Sequence, residues 1–192
     1  MTPPRQPLSR DRDFRGRVTS VGLSPEHAFS KPPQPSIHLL EGLGVRGDAH
    51  CGTTVKHRSR VRRDPDQPNL RQVHLLHTEL FDEMAEQGYR LSPGALGENV
   101  TTTGLDLLAL PRGTVLRLGE IAEVLVTGLR NPCLQIEEFR PGLLEHVLSV
   151  EDGRTVRRTG VMAVVRRSGV VCPGDPIAVV LPALPHHRLD RV

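Results

Sequence analysis

Aromatic side chains are scarce in this 192-residue chain, which has no Trp, one Tyr and four Phe. A core must therefore come mainly from Val, Leu and Ile, and a surface that stacks nucleic-acid bases on rings has little material. Cysteine is sparse too: Cys51, Cys133 and Cys172 form no Cys-x2-Cys pair. This argues against a disulfide framework and for a reducing, cytoplasmic setting. No apolar run approaches the roughly 18 residues of a membrane span, and Met1 to Asp13 has no apolar signal-peptide core. Also missing are a Ser nucleophile elbow, a P-loop and a Gly-x-Gly-x2-Gly turn, which removes the common serine-hydrolase and nucleotide-binding readings.

What is abundant is punctuation. Eighteen Gly and 17 Pro interrupt the chain at short intervals, a spacing that suits short strands better than a helix bundle. Strands are expected at Arg15–Leu23, Ile37–Leu40, Arg71–Leu76, Glu98–Thr103, Val161–Val165 and Ile177–Leu181. Val115–Leu118 and Ile121–Val126 read as a hairpin about Gly119-Glu120. Thr78 is expected to cap a helix with Leu80, Phe81, Met84 and Ala85 on one face, ending at Gly88. Leu143–Val150 reads as a second, short amphipathic helix. The expectation is a mainly β chain: a β-barrel with a few short peripheral helices, forming one domain over residues 14–185. Residues 1–13 read as a disordered tail and 186–192 as a C-terminal tail.

Net charge is only +3, yet five cations fall within eight residues at Lys56-His57-Arg58-Ser59-Arg60-Val61-Arg62-Arg63. They lie in a loop from Gly47 to Asn69 with almost no apolar residues, and so long a polar loop in a compact domain is usually functional or disordered. Its Lys and Arg suit a phosphate or another polyanion. A solvated basic loop without a ligand is the plainer reading of the same residues. The low net charge and the lack of aromatics in the segment count against nucleic acid. His50, Cys51, His57, His74 and His77 do not have zinc-ligand spacing.

The other candidate is Thr127-Gly128-Leu129-Arg130-Asn131-Pro132-Cys133. An aliphatic strand stops at Gly128, Asn131 offers an N-cap, and Pro132 fits the first helical position. Cys133 would then lie in a first helical turn, where backbone N–H groups and Arg130 favour a thiolate, the form that serves as nucleophile or metal ligand. A small buried hydrophobe is the equal alternative on local grounds. Cys51 and Cys172 receive no role.

In order, Gly47-Asp48-Ala49-His50, Thr54-Val55-Lys56-His57-Arg58-Ser59-Arg60, Asn69-Leu70-Arg71-Gln72-Val73-His74-Leu75, Pro93-Gly94-Ala95-Leu96-Gly97-Glu98-Asn99-Val100-Thr101-Thr102 and Thr127–Cys133 resemble the MOSC family. These proteins are stand-alone relatives of the C-terminal domain of molybdenum cofactor sulfurase. Gly160–Val165 and Pro173–Ile177 also fit, so the resemblance spans about Gly16 to Leu181. It implies a β-barrel and a molybdopterin-type molybdenum cofactor, with Cys133 as metal ligand and catalytic residue. Lys56, His57, Arg58 and Arg71 would hold the pterin phosphate and ring edge. Asp48, His50, Glu98 and Asn99 would meet pterin donors and acceptors or shape a small-molecule pocket, beside Arg130 and Asn131. The activity implied is reduction of N-hydroxylated substrates, with electrons from a separate donor protein. The alternative is a sulfur carrier bearing a persulfide on Cys133, supplied by a cysteine desulfurase. No pyridoxal phosphate is expected, because the sulfurase domain that carries it has no counterpart in these residues.

Overall fold

Seven strands close on themselves in the computed structural model, which describes residues 14–56, 61–62 and 64–192. The expected tail at 1–13 and the candidates His57 and Arg58 lie outside the described residues. The barrel strands are β1 (Phe14–Gly22), β5 (Val73–His77), β6 (Val100–Thr103), β7 (Val115–Leu118), β8 (Ala122–Leu129), β11 (Val161–Arg167) and β13 (Pro176–Val180). Their order is β13-β7-β8-β11-β5-β6-β1, and β1 returns to β13 through Phe14↔Ala178 and Arg17↔Pro176. The barrel is antiparallel except where β5 and β6 run parallel. β8 shows why the chain adopts this form: Ala122, Val124, Val126 and Gly128 are buried and alternate with less buried neighbours, the period of a strand.

Shorter strands decorate the barrel. β2 (Pro33–Gln34) extends β1, while β3 (Ile37–Leu40), β4 (Gly44–Val45) and β12 (Gly169–Val171) make a separate three-stranded sheet. β9 (Leu148–Glu151) and β10 (Arg154–Arg157) form a hairpin. This corrects the expected helix over Leu143–Val150, which stops at Val147. The chain then reverses through Asp152-Gly153, both at positive φ (48° and 73°), the turn chemistry of a tight hairpin. Among the described residues the helices are α1 (Glu79–Glu86), α2 (Leu134–Phe139) and α3 (Leu143–Val147). Thr78 stands at the N-cap of α1 without a side-chain capping bond. Leu80 and Met84 are buried, but Ala85 is exposed.

Burial divides into two apolar clusters. One fills the barrel with Val18, Leu75, Leu116, Val124, Val126, Ala163 and Ile177. The other packs Leu76, Leu80, Met84, Leu96, Ile136, Leu143 and Val147 between the barrel wall and the helices. The parallel β5–β6 pair needs a crossover, and α1 with the loop to Asn99 supplies it. That crossover carries residues 94–99 to the seam between the clusters. β8 leads to the same seam from the other side, so a cleft forms there. No helix of the described residues is long and apolar enough to cross a membrane.

Candidate functional site

A cleft of about 440 Å³ lies at this seam. Of the residues singled out in the sequence, His50, Lys56, Arg71, Asn99, Arg130, Asn131 and Cys133 line it. Asp48 and Glu98 do not; both are buried behind its wall. Lys31, His27, Phe29, His74, Asn69, Leu96, Gly97, Gln135 and Met162 also line it, and sequence reasoning had not assigned them to a ligand site.

The Arg130–Cys133 turn departs from expectation. β8 continues one residue past Gly128, and α2 begins at Leu134, so Cys133 is the N-cap residue, with extended φ −136° and ψ 172°. Asn131 is not the cap: its Oδ1 accepts from Arg157 Nε at 3.0 Å. An arginine nitrogen only donates, so this bond fixes the amide orientation and leaves Asn131 Nδ2 as the group available to the cleft. Pro132 precedes the helix rather than starting it. With only six residues in α2, the local charge comes from Arg130 more than from a helix dipole. Cys133 is partly buried, and its thiol donates to Gln135 Oε1 at 3.5 Å.

Arg130 is tied down through its backbone, with N–H donating to Gly160 O at 3.0 Å. Its guanidinium lies 5.9 Å from the centre of the Phe29 ring. Nη1 is cut off from solvent and has no hydrogen-bond partner among the described residues. Burial draws this guanidinium below its ordinary pKa, while Cys133 and Glu98 act in the opposite sense.

Asp48 organises the polar loop. Its Oδ2 accepts from Lys31 Nζ at 2.6 Å, Asn99 Nδ2 at 3.0 Å and Ser24 N at 3.3 Å. Its Oδ1 accepts from His50 N at 2.9 Å and lies 3.2 Å from His50 Nδ1. Burial works to raise the Asp48 carboxyl, but the hydrogen bond from His50 and the Lys31 ammonium outweigh it and hold it well below the usual carboxylate range. Burial draws Lys31 down against the pull of the same carboxylate.

Asparagine amides replace regular structure in holding this loop. Asn69 Nδ2 donates to His50 O and Gly52 O, both at 3.0 Å, and its Oδ1 accepts from Arg71 N at 3.1 Å. Asn99 donates to Gly22 O as well as to Asp48 and accepts from His74 N at 3.2 Å. Both amides are therefore committed to protein partners. Glu98 is likewise structural, accepting from Gly94 N at 2.6 Å, Leu96 N at 3.2 Å and Thr101 Oγ1 at 3.3 Å. Burial pushes its carboxyl up against these bonds.

His74 forms part of the wall from β5. Its Nε2 donates to Thr159 O at 2.7 Å, and burial, followed by Arg130, pushes its pKa down to about 3, so the ring is neutral. Lys31 is the most consequential omission from the sequence reading. It stands in a Pro-rich loop clamped to the 94–97 turn by Lys31 N to Gly94 O at 2.9 Å and Ser30 Oγ to Ala95 O at 2.8 Å. Gly94 (φ 82°) permits the clamp, since a Cβ there would run into Lys31 O. The sequence signal was the pairing of Ser30-Lys31-Pro32 with a distant Gly-rich turn, which no local pattern reveals.

A model of the MOSC domain matches residues 51–178, two thirds of the chain. The chain belongs to the MOSC family. Among solved structures, YuaD from Bacillus subtilis superposes with a TM-score of 0.72 at 25% identity, over 88% of this chain and 97% of YuaD. YiiM from Geobacillus stearothermophilus gives 0.64 at 19% identity, over 90% of this chain and 79% of that one. YiiM from Escherichia coli gives 0.60 at 18%, over 89% and 73%. No curated protein sequence matches this MOSC chain significantly.

Proposed function

We propose that this MOSC protein binds a molybdopterin-type molybdenum cofactor in the cleft, with the Cys133 thiolate as metal ligand, and reduces N-hydroxylated small molecules. The observation that carries this reading is the meeting of one partly exposed thiol and four cationic side chains, Lys31, Lys56, Arg71 and Arg130, in a single cleft. Thiolate is a soft ligand suited to such a metal, and lysine and arginine suit a phosphate-bearing pterin. The buried, unpartnered Nη1 of Arg130 also fits a site built for an acceptor-rich ligand.

In this reading Lys56 and Arg71 hold the phosphate end. Asn131 Nδ2 donates to the ligand beside Cys133, and Arg157 keeps it turned that way. The Asp48–Lys31–Asn99 network, with Glu98 behind the 94–97 turn, holds the wall rigid. When bound, the group supplies two-electron oxygen-atom chemistry, for which the side chains orient the substrate and exclude water. The partner is a separate electron-carrier protein in the cytoplasm. Metal and pterin analysis of the protein expressed with ample molybdate tests the reading: stoichiometric molybdenum, lost in Cys133→Ala, is expected. Protein free of both metal and pterin refutes it.

The accessibility of Cys133 favours one second reading, a sulfur carrier. The thiol is only partly buried, and the two residues that follow it, Leu134 (72% exposed) and Gln135, lie at the surface. Incubation with a cysteine desulfurase would then add one sulfur to the intact mass, absent in Cys133→Ala. An unchanged mass sinks this alternative.

A further inference from the structure

The cations of the cleft fall into two sets. Lys56 is exposed, so it stands toward the mouth. The others are withdrawn: the Lys31 side chain is 5% exposed, and Arg71 and Arg130, each half-buried, have one guanidinium nitrogen apiece sealed from solvent, with Arg130 three residues from Cys133. Burying a guanidinium N–H without an acceptor is costly, and such groups are rare in folded proteins unless something else satisfies them. The nearby acids do not. Asp48 is engaged with Lys31, His50, Ser24 and Asn99. The oxygens of Glu98 are taken by Gly94, Leu96 and Thr101, and none bonds to Nη1. His74, neutral against the same wall, adds no negative charge. Phe29 covers one face of the guanidinium, which keeps water away from it without supplying an acceptor.

We propose that Arg130 and Lys31 form an oxyanion subsite at the floor of the cleft, apart from the exposed Lys56, which receives the anionic group of a small substrate beside Cys133. A compact oxyanion supplies the acceptor that Nη1 lacks and also meets the Lys31 ammonium, only one of whose bonds, to Asp48, is made among the described residues. The substrate class that follows is small and anionic. The subsite rests on the reading of the cleft as a binding site but not on molybdenum, so it can be tested on cofactor-free protein.

The experiment is calorimetric titration of cofactor-free protein at low ionic strength with sulfate, phosphate, molybdate and phenyl phosphate. At least one inorganic oxyanion per chain is expected to bind, and the tightest such site should weaken about tenfold or more in Arg130→Gln, the scale of one lost charge-assisted hydrogen bond. Arg154→Gln, an exposed change of equal charge on the β9–β10 hairpin, should bind as the parent does. Because Arg130→Gln risks misfolding, a second measurement uses the unsubstituted chain. Bound oxyanion should slow iodoacetamide labelling of Cys133, read by peptide mass spectrometry. No binding of any inorganic oxyanion up to about 10 mM overturns the proposal. So does parent-like affinity in folded Arg130→Gln, or unchanged labelling at saturating anion. Phenyl phosphate binding at least tenfold tighter than phosphate would also overturn it, assigning the floor to the phosphate end of a larger ligand instead.

Discussion

Asp48→Asn isolates the interaction that holds the cleft wall. The wild-type carboxylate accepts five bonds, at 2.6, 2.9, 3.0, 3.2 and 3.3 Å, from Lys31, His50 N, Asn99, His50 Nδ1 and Ser24. An amide keeps one acceptor oxygen and turns an NH2 toward donors that were bonded, while the Lys31 ammonium loses its counter-ion with only 5% of its side chain exposed. Removing one partner of a buried pair costs about 3–5 kcal/mol. In a domain of this size each kcal/mol moves Tm by roughly 2–4 °C, so a fall on the order of 6–20 °C is expected. With no Trp in the chain, thermal unfolding for Tm and urea unfolding for the free energy, both followed by circular dichroism, are the appropriate assays. Lys31→Met relieves the orphaned charge, so the double variant should be more stable than the sum of the two single losses implies, by about 1 kcal/mol or more. A loss under about 1 kcal/mol for Asp48→Asn, or strict additivity in the cycle, would refute the buried-pair account.

Acid titration should reveal His74. Its folded pKa of about 3 lies below the ordinary 6.5, so the unfolded chain takes up the proton first and stability drains away as pH falls from about 6.5 toward 3. The loss by pH 5 is up to about 2 kcal/mol, His77 contributing in the same direction, and His74→Gln should flatten the slope. Asp48 adds a further loss only below about pH 4, where its unfolded form protonates. Gly94→Ala combines a positive φ with a Cβ driven into Lys31 O, and should cost about 3 kcal/mol or more in chemical denaturation; a neutral result would mean the clamp is dispensable. By contrast Leu134→Ser, 72% exposed beside Cys133, should stay within about 0.5 kcal/mol of the parent in the same assay.

The barrel was legible where strands are long and aliphatic. β7, β8, β11 and β13 follow from Val, Leu and Ile runs bounded by Gly or Pro. β2 and β4 have two residues each, too few for any period to show, and exist because neighbouring strands offer free edges. β9 was hidden because Leu148 and Val150 continue the apolar spacing of α3, and the Asp152-Gly153 turn was the overlooked signal. At the site, Cys133 and Arg130 stand out by type and spacing. Asp48 and Glu98 also stand out, but a sequence does not say whether a carboxylate faces a ligand or the protein's own N–H groups. Lys31 was invisible because its burial depends on contacts with residues some sixty positions away.

Barrel closure joins β1 to β13, segments from opposite ends of the described chain, and the cleft draws residues from Phe29, Lys31, Asn69, Asn99, Arg130 and Met162. Contacts so distant in sequence make folding slow and leave a half-assembled chain without the cavity. The cleft is then an all-or-none property: a fragment missing one strand has lost the cavity along with the strand. Any ligand that binds the closed cleft at a hundred times its Kd would add about 2.7 kcal/mol to the stability of every strand at once.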